Sequence, residues 1–371
     1  MTTEQQPDIT EQQLEFSPFQ LRAMLSDRDF TQFSVQYADT RSRQLEGTFP
    51  NNPTDGVWAT TGQRISRGWG AVTESDWPYC GTLENWPPDE PPGLDEKAKK
   101  LRSFYYQRIR SANEIRLLLG KGFPVCVNIE ITEQWYDAPG GVIRLPDSDD
   151  AITGSHAVIL EGFHITNMFF HFTNSWGPEW GNEGKGVLSF EYLDKYFIEA
   201  WAQYGHGANH DDFNVNQIAD LSWGLPDELA TRHNFGNCVH GREIYDGEND
   251  ERCGWTFMLQ RFGYLDIEEL FVKPDHRRLG YGTRLVNMIK ELRDKSGLPL
   301  RFWFSFADWE SRNIDPIRKF LELLELTAYW SEESWAPAVA VNKENYEQRV
   351  GESLAPELDE INLDNCQFPD S

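Results

Sequence analysis

Two short constellations in this chain carry residue types that could do chemistry. His156 lies in the run Gly154-Ser155-His156-Ala157-Val158, and eighteen residues later comes Asn174-Ser175-Trp176-Gly177. An imidazole can draw a proton from a thiol while an amide fixes the ring, so this pair reads as the base and orienter of a nucleophilic site. The second constellation is Arg277-x-x-Gly280-x-Gly282, placed between an apolar strand and an amphipathic helix. Its glycines let backbone amides come close to a pyrophosphate, and a helix start adds partial positive charge. A short glycine motif is often only a turn; here Val272, Pro274, the Arg277-Arg278 pair and the helix that follows all agree with a cradle. On the preceding strand stand Asp266 and Glu268, which share a face by two-residue alternation, while Glu269 points the other way.

Each constellation needs elements to position it. Alternation and apolar runs predict strands over Val125–Ile131, His156–Phe163, Met168–Thr173 and Gly186–Ser189, so that His156 and Asn174 sit on neighbouring strands. Helices are expected over Phe33–Leu45, Gly56–Gly68 and Ser111–Leu119, the last opened by a capping box of Ser111 and Glu114. A short helix is expected over Ser17–Ser26, and Phe190–Trp201 reads as helical. Around the cradle, strands are expected over Glu243–Tyr245, Trp255–Leu259, Leu265–Val272 and Leu300–Phe306. Helices follow over Leu279–Lys295 and Asn313–Leu326. The polar stretch Gln203–Phe213 reads as a linker.

Composition narrows the partners. The chain has 371 residues, enough for two cores, and 13% aromatics, a globular composition. Its formal net charge of −26 opposes nucleic acid and anionic membranes and favours cationic or amine-bearing partners. The five cysteines (Cys80, Cys126, Cys238, Cys253, Cys366) are odd in number and never paired as Cys-x-x-Cys, so neither a disulfide framework nor a metal site is expected. The first residues are polar and acidic, unlike a signal peptide, and no apolar run is long enough to span a bilayer. A cytoplasmic setting is the expectation.

The stretch from about Phe33 to Trp201 resembles papain-like cysteine peptidases. Phe33-Ser34-Val35-Gln36-Tyr37 echoes their Leu-Ser-x-Gln helix start, and Thr73-Glu74-Ser75-Asp76-Trp77-Pro78-Tyr79 matches their Ser-Glu-Glu-x-x-Tyr/Trp-Pro-Tyr turn. The His156 run matches the histidine strand, and Asn174 through Gly181 the asparagine segment. The resemblance implies a nucleophilic cysteine before the Leu-Ser-x-Gln segment, yet residues 1–32 hold none. Ser17 is the nearest substitute and lacks the surrounding Cys-Trp-Ala-Phe character. The resemblance therefore implies a papain-like domain incomplete at its N-terminus, with His156 and Asn174 as a remnant dyad, kept for binding.

Residues from about 239 to 341 resemble the GNAT superfamily of acyl-CoA N-acyltransferases, on Arg277-x-x-Gly280-x-Gly282 and on Asn313 with Pro316, Ile317 and Phe320. That resemblance implies acetyl-CoA or another acyl-CoA as co-substrate. The cradle would be Val272, Arg277, Arg278, Leu279, Gly280, Tyr281, Gly282 and Thr283, with Asn313 beside it. Counting back from Gly280, Asp266 falls where several members carry their base, with Glu268 as its neighbour. Phe320 stands where a tyrosine acid is common, which leaves water or Tyr329 to protonate the leaving thiolate.

Together these readings predict an α+β chain with an arm over 1–13, a papain-like domain over 14–205 and a linker over 206–213. A GNAT-like α/β domain with a central mixed, mostly antiparallel sheet follows over 214–345, then an acidic tail over 346–371. The expected activity is acyl transfer from acetyl-CoA to an amine on a peptide or protein. A papain-like peptidase and a non-catalytic adaptor are the alternatives.

Overall fold

The computed structural model describes residues 33–50, 57–80, 86–87, 89–147, 150–207, 239–246, 251–261, 263–304, 314–330 and 338–342. Ser17, Asn313, the arm, the region 208–238 and the acidic tail lie outside them. The chain divides into two compact units: one holds residues 111–196, and the other joins residues 31–110 to 197–371.

Helices α1 (Val35–Glu46), α2 (Ala59–Gly68) and the short α3 (Leu94–Ala98) belong to the second unit and precede the described part of the first in the chain. Helix α4 (Ala112–Gly120) starts as its capping box requires, the Ser111 hydroxyl accepting from the Glu114 amide. Strands β2 (Val125–Thr132), β4 (Ile152–His164), β5 (Phe169–Thr173) and β6 (Lys185–Ser189) pair antiparallel in that order, and β3 (Val142–Ile143) adds a parallel edge to β6. The predicted helix over Phe190–Trp201 is half right: α5 covers only Phe190–Tyr196. From there β7 (Phe197–Gly207) runs as a strand whose middle, Glu199 to Ala202, is buried throughout. Strand β7 also carries the chain through residues 203–207, where the linker was expected.

In the second unit β7 pairs antiparallel with β1 (Arg102–Ile109), a strand the sequence reading passed over. A separate six-stranded sheet holds, in spatial order, β12 (Thr327–Trp330), β13 (Ala338–Val341), β11 (Leu300–Phe304), β10 (Tyr264–Val272), β9 (Glu251–Arg261) and β8 (Val239–Asp246). Its pairs are antiparallel except β10–β11, so the sheet is mixed and mostly antiparallel.

Helices α6 (Tyr281–Ser296) and α7 (Ile314–Leu324) cover one face of this sheet. Leu265, Ile267, Val286, Ile289, Leu300 and Phe320 form the core there. The opposite face carries Trp255, Phe257 and Phe271, all buried. Tyr106 of β1 meets Phe257 edge-on at 5.4 Å, and Arg67 of α2 lies 5.4 Å over the same ring. Elements from the peptidase-like stretch thus pack on the sheet of the acyltransferase-like stretch. The predicted division at 205–214 separates sequence resemblances, whereas the compact units group residues by contact.

Candidate functional site

The first site lies wholly within residues 111–196. His156 is on β4 and Asn174 just past β5, and those strands pair antiparallel as expected. His156 Nε2 stands 2.8 Å from Asn174 Oδ1. The same oxygen accepts from the Ser175 amide at 2.7 Å, so it must be an acceptor. Nε2 therefore carries the imidazole proton and Nδ1 is left as the basic nitrogen. Burial pushes the His156 pKa below its ordinary value, and the bond to Asn174 opposes that shift. The imidazole thus stays neutral and ready to act as a base near neutral pH.

Aromatic rings hold the pair in place. Trp176 lies 4.5 Å from the imidazole and stacks on Tyr136 at 5.3 Å. Beneath them Trp135 is fully buried; its Nε1 donates to Tyr192 Oη, and its carbonyl accepts from Trp180 Nε1. Asn174 is buried, and its Nδ2 has no partner among the described residues.

The two other quoted peptidase-like motifs meet each other in the second unit. Ser34 caps α1 by accepting from the Tyr37 amide and donates its hydroxyl to the Trp77 carbonyl. Gln36 accepts from the Cys80 amide. Cys80 and Cys126 are both half-buried.

The second site is built on β10, the turn after it and α6. Among the described residues, strand β10 pairs with β11 at Leu265, Asp266 and Ile267, while β10 itself continues to Val272. A bulge against β9 falls between Ile267 and Glu269. After β10 comes one turn of 3-10 helix, Pro274–His276, then Arg278 and Gly280 with left-handed φ of 62° and 85°. Gly280 suits that backbone because it has no Cβ. Helix α6 then begins at Tyr281 with no side-chain cap, leaving its first amides without helical partners. Leu279 is exposed, and Gly282 has ordinary room beside Val272.

Arg277 donates its Nε to the Val272 carbonyl at 3.1 Å. Desolvation, and then the like charge of Arg64, hold its pKa below the usual value. Of the predicted cradle residues, Arg277, Arg278, Leu279, Gly280 and Thr283 are exposed, and Val272, Tyr281 and Gly282 are half-buried.

The candidate acids are arranged differently from the expectation. The bulge breaks the alternation, so Glu269 is not turned away from the others as predicted. Its carboxylate accepts from Arg64 at 3.1 Å through both oxygens and from Tyr106 Oη at 2.8 Å. Trp255 Nε1 donates in turn to Tyr106. Desolvation and then Glu269 raise the Tyr106 pKa well above normal, which keeps this phenol a donor.

Asp266 is completely enclosed. It accepts from Arg301 Nε at 2.6 Å, Arg301 Nη2 at 3.0 Å and Arg110 Nη1 at 2.9 Å. Such an oxygen set serves an ion-pair anchor better than a base. Glu268 accepts from Arg110 Nη2 at 2.8 Å and shares that guanidinium with Asp266, as their common face implied. Phe320 and Tyr329 are both buried.

The sequence reading missed Arg64, Tyr106 and Arg110. The run Phe104-Tyr105-Tyr106 was a strand signal, but nothing local tells which carboxylates a strand end will meet.

With this geometry in hand, residues 48–199 match the family described as "Papain family cysteine protease", and residues 197–314 match "Acetyltransferase (GNAT) family". An uncharacterized peptidase C1-like protein of Acanthamoeba polyphaga mimivirus is 26% identical over 163 residues, 41% of this chain and 51% of that protein. Cathepsin K of Mus musculus is 25% identical over 138 residues, 36% of this chain and 40% of its own. The chain spans about half or less of the length of the curated relatives it matches. Among solved structures, the cysteine protease xylellain of Xylella fastidiosa is 22% identical with a TM-score of 0.44, covering 50% of this chain and 75% of that one.

Proposed function

From a chain that carries a papain-family segment followed by a GNAT-family segment, we propose an N-acyltransferase that moves an acetyl group from acetyl-CoA to an amine on a peptide or protein. The observation that carries this reading is the cradle: a left-handed Gly280 feeding a helix without a side-chain cap, beside a strand pair that among the described residues reaches only to Ile267. The first-turn amides of α6, at Tyr281, Gly282 and Thr283, with the positive end of the helix, suit a pyrophosphate. The edge of β10 beyond Ile267 suits the extended arm of acyl-CoA.

A thioester supplies an activated carbonyl; the chain's residues hold the amine against it and take its proton. The C–N bond forms, the C–S bond breaks, and the amine proton passes to a carboxylate. Of the two candidate acids, Glu268 suits that role better than Asp266, because it stands where the pairing of β10 with β11 has ended. Asn313, outside the described residues, is proposed at the same site. The acidic balance of the chain favours a basic acceptor such as a lysine. The papain-like segment, whose family binds extended peptides, is proposed to help hold that acceptor.

Calorimetric titration of the purified chain with acetyl-CoA tests this, beside Gly280→Glu and Gly282→Glu variants. Micromolar binding that both variants abolish is the expected result. No binding by the unaltered chain would sink the proposal and leave an adaptor.

The intact His156–Asn174 pair favours a second reading, a peptidase whose nucleophile lies elsewhere. A thiol-directed probe that labels a cysteine only while His156 is present would support it; absence of labelling counts against it.

A further inference from the structure

We propose that Arg110, which lies in the papain-matching stretch, is a positioning residue of the acyl-transfer site. The inference rests on the acyltransferase reading and deepens it: the site is composite, finished by a residue outside the GNAT-matching stretch.

Arg110 directly follows β1, and its side chain is 10% exposed. The two ends of its planar fork go to different acids, Nη1 to Asp266 at 2.9 Å and Nη2 to Glu268 at 2.8 Å. These acids flank Ile267, the last residue of β10 that pairs with β11 among the described residues. Arg110 therefore spans the point where the two strands part. Its two partners are not equivalent. Asp266 is also gripped by Arg301 through two bonds, and Arg301 itself lies 4.6 Å over Tyr264 and 5.1 Å over Trp303. That end is an anchor. Glu268, at the bulge, takes its direction from the other end of the same fork.

A rigid planar group that bridges a fixed carboxylate to a second one transmits the position of the first to the second. A lysine cannot, because a single ammonium has no fork. The guanidinium also lies 5.8 Å from the Trp303 ring, which limits where it can swing. Arg110 touches neither the thioester nor the amine in this scheme and acts through Glu268.

The test uses the full chain, acetyl-CoA and a pool of lysine-containing peptides, with released CoA thiol as the signal. The variants are Arg110→Lys and Arg110→Met, with Glu268→Gln as reference. Arg110→Lys is expected to lower kcat at least tenfold while KM for acetyl-CoA stays within twofold. Arg110→Met combined with Glu268→Gln should lose no more than Glu268→Gln does alone. If both single variants keep kcat within twofold of the unaltered chain, the inference is overturned and the acyltransferase reading stands. A rate loss that only tracks a loss of folded protein also overturns it. If Arg110→Met does not fold, the kcat of Arg110→Lys decides. Failure of the unaltered chain to bind acetyl-CoA by calorimetry removes the acyltransferase reading itself, and the inference with it.

Discussion

At the scale of single residues, burial and partner count sort groups that the sequence makes look alike. Asp266, Glu268 and Glu269 are three acids within four positions, yet their cationic partners differ: Arg110 and Arg301 hold Asp266, the other end of Arg110 meets Glu268, and Arg64 meets Glu269. Asp266, with no exposed surface and three guanidinium bonds, is the most committed to structure. Asp266→Asn keeps the shape and removes the charge, leaving Arg110 and Arg301 facing a neutral amide. Breaking a buried pair by removing one partner costs about 3–5 kcal/mol. The urea midpoint of the variant should fall by that loss divided by the slope, with the slope unchanged. A change within about 0.5 kcal/mol, the usual effect of surface substitutions, would mean that the enclosure contributes nothing. His156 shows the opposite case, where one oxygen, Asn174 Oδ1, fixes the proton on Nε2 and so prepares Nδ1.

At the scale of elements, the strand pair β5–β6 carries a titratable group that the fold keeps neutral. His171 of β5, opposite Val187 of β6, has its pKa pushed down to about 4, by burial first and then by the charges of His164 and Lys185 against the pull of Glu161. The ordinary histidine value is about 6.5. Between these two values the unfolded chain binds a proton that the folded chain refuses, so stability is complete above the upper value and is lost as pH falls through the window. Melting temperature should therefore drop from pH 6.5 to 4, and His171→Gln should remove part of that slope. Equal slopes in the variant and the unaltered chain would refute the burial. What was legible in the sequence follows the same division. The strands flanking His156 and Asn174, the Ser111 cap and helix α6 are local patterns, and each appears within a few residues of its expected place. The bulge at Ile267 and the switch from α5 to β7 depend on neighbours distant in sequence, as do the partners of Asp266. Only the folded sheet supplies those.

At the scale of the whole molecule, sequence similarity and compactness divide the chain differently. The GNAT-matching segment begins at residue 197, but one face of its sheet is finished by α2 and β1, which precede it by some hundred positions. Trp255, Phe257 and Phe271 on that face are at most 6% exposed. Aromatic side chains bury about 150–250 Å² each, so uncovering three would expose several hundred Å², worth on the order of 10 kcal/mol at about 25 cal/mol per Å². Domain stabilities are about 5–15 kcal/mol in total, so the segment cannot afford that loss. The fragment 206–371 expressed alone should therefore aggregate or melt without a cooperative transition, and residues 31–110 supplied in trans should raise its soluble yield. A fragment that melts cooperatively and binds acetyl-CoA as tightly as the full chain would make the peptidase-like elements a passenger on the six-stranded sheet. It would also mean that Arg64, Tyr106 and Arg110 are dispensable to the acids they hold.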